Sequence, residues 1–136
     1  MTTDDPVHEL QELECWERLE AADIGRLAYN LDEVHIVPIN YVVATRHRLL
    51  FRTAEGSKLL GVVRHSEVAF EIDGFEGARA WSVVARGRAR QVEGLEGREA
   101  DRLRLRPWIN TAKNFVVCID VSEVTGRAFD LDLPRP

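Results

Sequence analysis

The sequence predicts a mainly β (α+β) domain: about six antiparallel strands in meander-like order, closed into a small barrel and flanked by short helices. Three observations lead there. Short segments rich in β-branched and aromatic residues recur down the chain, and in 67–73 they alternate cleanly, with Val68, Phe70 and Ile72 on one face. Helical periodicity is confined to the first third, to the stretch after Gly56 and to the charged stretch before the last strand. A length of 136 residues with 45% hydrophobic side chains suffices for one core. The expectation is one domain over 1–136, with 1–7 and 131–136 as loose tails.

In chain order, Leu10, Leu13, Trp16 and Leu19 fall at helical spacing between His8 and Ala22, so an amphipathic first helix is expected. Leu27–Asn30 reads as the first strand and Leu31–Glu33 as a turn. Val34–Thr45 reads as the hairpin partner, with Pro38 inside it marking an edge, a bulge or a break, because proline cannot donate to a ladder. The strand from Arg48 runs to Arg52, and a helix over Lys58–His65 follows. Strand Glu67–Asp73, a small-residue loop at Gly74–Ala78 and strand Trp81–Val92 come next. Alternation in that last strand puts Arg86, Arg88 and Arg90 on one face, either as a solvated row paired with neighbouring acids or as a cationic row for a ligand. Gly94–Leu105 reads as a charged helix ended by Pro107, Phe115–Val121 as the final strand, and Ser122–Arg127 as a turn.

Composition excludes several classes. Eighteen lysines and arginines against 23 acids give a net charge of -5, which argues against nucleic acid or an acidic membrane as a partner. The N-terminal Met-Thr-Thr-Asp-Asp-Pro is no signal sequence and no apolar run is long enough to span a bilayer, so a cytoplasmic protein is expected. Cys15 and Cys118 have no paired spacing for zinc or a redox dithiol and read as free thiols. The four histidines, His8, His35, His47 and His65, are scattered without ligand spacing, so no metal is expected. No Ser-His-Asp or paired-carboxylate arrangement stands out, and no catalytic acid or base is assigned.

One stretch does carry chemistry. In 49–60 an apolar strand stops at Arg52 and Thr53, turns through Gly56, and restarts as a helix with Ser57 as N-cap and Lys58 beside it. Two cations, two hydroxyls and the free amides of a first helical turn would share a small volume, which suits a phosphate.

The order of motifs resembles a known family. Val-Pro-Ile-Asn-Tyr (37–41), Phe-Arg-Thr-Ala-Glu-Gly-Ser-Lys-Leu (51–59), Phe-Glu-Ile-Asp (70–73), Trp-Ser-Val-Val-Ala-Arg-Gly-Arg-Ala (81–89), Arg-Pro-Trp (106–108) and Thr-Gly-Arg-Ala-Phe (125–129) together resemble the pyridoxamine 5'-phosphate oxidase-like family of flavin-binding split barrels. The resemblance implies a split β-barrel homodimer with two interface sites, usually for FMN. It implies a phosphate held by Arg52, Ser57 and Lys58 with Thr53 close by, and ring contacts from Pro38, Ile39, Asn40, Tyr41 and Phe51–Thr53. Trp81 and Ser82 would approach from the partner subunit, and Trp108 would wall the site. The flavin would pass a hydride or electrons to a small-molecule substrate.

Ala80 stands where relatives carry glycine, and the chain lacks the C-terminal segment with which true pyridoxamine phosphate oxidases hold their substrate. Vitamin B6 oxidation is therefore not expected. Two alternatives on the same site are a deazaflavin coenzyme, whose acidic tail would want the arginine row, and a non-catalytic flavin or haem carrier.

Overall fold

The structure, a computed structural model, describes residues 5–45, 47–54, 66–103 and 114–132. Its elements are β1 (Val7–Glu9), α1 (Glu12–Ala21), β2 (Ile24–Leu31), β3 (Glu33–Asn40), β4 (Val42–Ala44), β5 (Arg48–Ala54), β6 (Glu67–Glu76), β7 (Arg79–Val92), α2 (Gly94–Arg102) and β8 (Asn114–Asp130). The expected helix over Lys58–His65 lies outside the described residues.

Every strand pairing is antiparallel, in the order β3-β2-β6-β7-β8-β5-β4, with β1 alongside the far half of β8. The two ends of that path, β3 and β4, are consecutive in the chain and separated by Tyr41 alone. The sheet must therefore curl until its edges meet, and β3 comes into contact with β5 across the seam. That is a split barrel.

The alternation of each strand decides what fills it. Leu27, Tyr29, Phe51, Val68, Phe70, Ile72, Val83, Ala85, Val117 and Ile119 point inward and form one core, with Phe51 and Phe70 its largest fully buried side chains. Helix α1 closes one end by adding Cys15, Trp16 and Leu19. A second apolar cluster, Ala44, Leu50, Val92, Val116 and Cys118, lies on the outer face of β4, β5, β8 and β7. Helix α2 packs against β4 on that side.

Four expectations need correction. The described residues hold eight strands rather than about six, because His8 belongs to β1 and the segment 34–45 divides. That division falls at Tyr41, while Pro38 pairs with Arg26 on an edge strand, in line with the edge reading its sequence position allowed. The first helix starts at Glu12, and Leu13, expected on its apolar side, is 71% exposed while Cys15 is buried instead. Finally, Ser122–Arg127 is no turn: β8 runs unbroken to Asp130. Gly126 is small because α1 presses on it, since a methyl there would sit 2.7 Å from the Cys15 Sγ. The loop at Gly74–Ala78 also shrinks to a two-residue hairpin, Gly77–Ala78, with Gly77 at φ +61°.

One bulge bends the sheet. Arg86 pairs with Glu123 and Gly87 with Val121, so Ser122 is left over, and its hydroxyl donates to the Arg86 carbonyl at 3.2 Å. A Cβ on Gly87 would run into the Asp120 carbonyl, and backbone cannot step aside as a side chain can. Gly87→Ala is therefore expected to lower stability by roughly 1–3 kcal/mol, read from the urea midpoint.

The outer face between β2 and β6 carries a crowded carboxylate pair. Arg26 Nη1 lies 2.7 Å from Glu71 Oε1 and 3.2 Å from Asp73 Oδ2. Burial pushes the Glu71 carboxyl up to about 7, helped by the hydrogen bond and charge of Asp73 and opposed by Arg26. The folded chain thus keeps a proton that the unfolded chain releases above about 4.5. The stability this adds is full below that pH and is lost as pH rises through 7. Glu71→Gln should flatten this part of a stability-against-pH curve, with the variant gaining on the wild type as pH rises from 5 to 8.

Candidate functional site

The residues singled out by sequence fall into two groups. The first gathers at the seam. Register pairs Val42 with Leu50, so the chain running back through Tyr41 to Asn40, Ile39 and Pro38 lies beside the part of β5 that runs on to Phe51, Arg52 and Thr53. The contact between β3 and β5 follows from this. Because β3 is an edge strand, one side of its backbone faces away from β2, which suits a planar ligand rimmed with donors and acceptors.

Within this group the side chains do different work. Phe51 is fully buried and belongs to the core. Tyr41 is also buried: its hydroxyl donates to the Leu19 carbonyl at 2.5 Å, and its ring meets Phe70 edge-on at 4.6 Å. Burial, with the charge of Asp23 behind it, raises the Tyr41 phenol far above its ordinary range, so it stays protonated. Tyr41 is a plug for the seam, with its hydroxyl and its ring both engaged inside the barrel. Pro38 is exposed, whereas Ile39, Asn40, Arg52 and Thr53 are half-buried. Arg52 shares the outer face with Leu50, opposite Val116, while Thr53 lies opposite Phe115. Ser57, Lys58 and Trp108 lie outside the described residues.

The second group, Trp81 and Ser82, sits at the other end of the barrel. Trp81 pairs with Gly74 and Ala128, while Arg52 is opposite Val116, which in turn pairs with Val92. From Trp81 to Val92 an extended strand covers roughly 35 Å. Arg52 and Trp81 of one chain do not meet.

Trp81 is held by residues that sequence reading passed over. The Arg18 guanidinium lies over its ring, 4.5 Å from the centroid. Arg18 is in turn fixed by Glu76, with Nη1 to Oε1 at 2.8 Å and Nη2 to Oε2 at 3.3 Å, and Glu14 lies 3.8 Å away. Those contacts hold the exposed Glu76 carboxyl below its ordinary range. A groove of about 450 Å³ runs between α1 and the β6–β7 hairpin beside this ring. The i,i+4 spacing of Glu14 and Arg18 was visible in sequence, but nothing local announced Glu76 or Trp81 as partners.

The arginine row does lie on one outer face, as alternation predicts. Arg90 is tied to Asp120 at 2.5 and 3.2 Å, and Arg88 approaches Glu67 at 3.9 Å, both exposed. Arg86 and Arg88 border a trough of about 660 Å³ floored by Ala28 and Ala69. That trough lies over β2, β6, β7 and β8, whereas Arg52 is on β5.

Neither cysteine is poised as a nucleophile. Burial pushes the Cys118 thiol up to about 11, with Asp120 adding to it, and burial likewise raises Cys15.

Comparison with known proteins adds to this geometry. A family model described as pyridoxamine 5'-phosphate oxidase matches residues 11–128. A solved structure from Corynebacterium glutamicum, provisionally named a pyridoxamine 5'-phosphate oxidase, is 40% identical with a TM-score of 0.84 and covers 98% of this chain and 100% of its own. An FAD-binding protein from Mycobacterium smegmatis is 40% identical, TM-score 0.81, covering 91% of this chain and 99% of its own. A second FAD-binding protein, from Mesorhizobium loti, is 26% identical, TM-score 0.74, with 90% and 97% covered.

Proposed function

The chain belongs to the pyridoxamine 5'-phosphate oxidase family, and on that premise we propose that it binds a flavin nucleotide and works as a flavin-dependent oxidoreductase on a small substrate. The observation that carries this reading is the FAD-binding protein 40% identical over 91% of the chain. FMN, the form the family resemblance implies, shares the isoalloxazine and the ribityl phosphate with FAD. The relatives at 40 and 26% identity favour FAD.

The residues present fit such a ligand. A half-buried Arg52 lies in the last part of β5, which ends at Ala54, and β3 is an edge strand whose outer backbone side at Ile39 suits the polar rim of a ring. The flavin, when bound, supplies the hydride or electron transfer. The chain's own residues bind and orient it. Because Arg52 and Trp81 lie at opposite ends of one barrel, a site that uses both is built by two copies, which favours a homodimer with interface sites. The arginine row offers a deazaflavin tail little, since Arg90 is already occupied by Asp120.

The test is the visible spectrum of the purified protein followed by parallel titrations with FAD, FMN and the deazaflavin coenzyme. Saturable binding of FAD or FMN with flavin absorbance is expected, followed by turnover with a nicotinamide donor and an electron acceptor. Binding without turnover would make the protein a carrier, and binding of none of the three would overturn the proposal.

A further inference from the structure

Trp81 is an indole at a strand position whose neighbours leave it little choice of orientation. Across the strand pair stands Gly74, and a methyl built there would lie 2.9 Å from Trp81 Cζ2, 3.0 Å from Cε2 and 3.1 Å from Nε1. The ring edge thus rests directly on backbone, and any larger residue at 74 would push it off. Over the ring stands Arg18, whose charge is set by a carboxylate from the β6–β7 hairpin and another one helical turn away.

Arg18 is a costly residue to place there for packing alone. Its side chain is only 15% exposed, and its Nε is buried with no hydrogen-bond partner among the described residues. A leucine or methionine would fill the same space without stranding a donor. What the guanidinium adds over an apolar side chain is direction: a planar cation prefers the face of an indole, and its two Nη groups are registered on Glu76.

We propose that Arg18 is a positioning residue: through its stack on the indole and its fork onto Glu76 it locks Trp81, against Gly74, in the one orientation in which the ring meets the flavin. This rests on the reading of Trp81 as a flavin contact, and it extends the site from the partner-facing strand to helix α1. Glu76 serves the same end by holding Arg18, so the chain of contact runs Glu76, Arg18, Trp81, ligand. Ser82, the next residue on β7, faces the other side of the sheet and lies outside this clamp.

The experiment compares full-length wild type with Arg18→Lys and Arg18→Met, each first checked by far-UV circular dichroism, with Trp81→Phe used to assign the Trp81 indole N–H resonance in ¹⁵N-labelled protein. Without ligand, Arg18→Met should broaden or shift that resonance and leave the other two indoles in place, and Arg18→Lys should shift it less. In titrations with FAD, Arg18→Met should bind about tenfold more weakly and Arg18→Lys within about threefold of wild type. If Arg18→Met does not fold, Glu76→Gln, which loosens Arg18 at an exposed position, should give the same pattern at smaller size. An unchanged Trp81 resonance in Arg18→Met, or a changed resonance with unchanged FAD affinity, overturns the proposal. A wild type that binds neither FAD nor FMN overturns the flavin reading instead, and the resonance then still decides whether Arg18 orients Trp81.

Discussion

Replacing Glu99 with alanine is expected to cost about 3–5 kcal/mol of folding stability, the loss seen when one member of a buried ion pair is removed and the other is left behind. Glu99 and Arg48 have side chains only 10% and 12% exposed, and Glu99 Oε2 accepts from Arg48 Nη2 at 2.8 Å. The second carboxylate oxygen accepts from the Thr45 N–H at 3.4 Å and the Thr45 hydroxyl at 3.3 Å, and Arg48 itself donates to the Thr45 carbonyl at 2.9 Å. One carboxylate on α2 therefore ties together Thr45, just after β4, and Arg48, at the start of β5, and holds the helix against β4.

Alanine would take from the Arg48 guanidinium its carboxylate partner and from the Thr45 amide and hydroxyl their shared acceptor. Removing both charges, as Glu99→Ala with Arg48→Met, should recover part of the loss, because an apolar pair leaves nothing stranded. Urea unfolding of the two single variants and the double variant measures this. A single-variant loss below about 1 kcal/mol would place Glu99 among ordinary surface pairs.

The pair also has an acid signature. Burial works to raise the Glu99 carboxyl, but the Arg48 hydrogen bond, the Thr45 amide and the Arg48 charge outweigh it and hold it below its ordinary range. Stability from this source is present above the unfolded value and is lost as pH falls through the folded one. Glu99→Ala should accordingly be less sensitive to acid below about pH 4.5 than the wild type.

How much of this was legible from sequence depends on whether the physics was local. Alternation in 67–73 and 81–92 correctly assigned the inward and outward faces of β6 and β7, because a period of two is written in the residues themselves. The split barrel followed from the order of motifs. By contrast, Gly126 read as a turn residue because a glycine beside a polar stretch usually is one; only the approach of Cys15 from α1 explains it. The structural use of Tyr41 was not legible either: its phenol satisfies the buried Leu19 carbonyl, a partner 22 residues away that no local pattern announces. Glu99, Arg48 and Arg18 gave no signal because their partners lie far along the chain, and a lone charge in a charged helix reads as solvated. For the site, the family resemblance had Trp81 and Ser82 approach from the partner subunit, and the register agrees in keeping β7 at Trp81 far from β5 at Arg52 within one chain.

That separation leads to the other large effect. Arg52→Ala together with Lys58→Ala should weaken flavin binding by about 100-fold or more, since a charge-assisted hydrogen bond to a phosphate contributes about 1.5–3 kcal/mol and two would be removed. Arg52 is half-buried and outside the fully buried core, so the fold should survive, as far-UV circular dichroism would verify. Trp81→Ala should also weaken binding, from the opposite end of the barrel. If the site crosses between copies, mixing the Arg52/Lys58 variant with the Trp81 variant should restore what neither has alone. In a mixed dimer one site combines both lesions, while the other pairs an intact Arg52 and Lys58 from one copy with an intact Trp81 from its partner. With statistical exchange about a quarter of all sites then regain wild-type affinity, which appears as a tight phase in a flavin titration of the mixture. Absence of that phase after proven exchange would confine the site to one chain and remove Trp81 from it. Unchanged affinity in the Arg52/Lys58 variant would move the phosphate elsewhere.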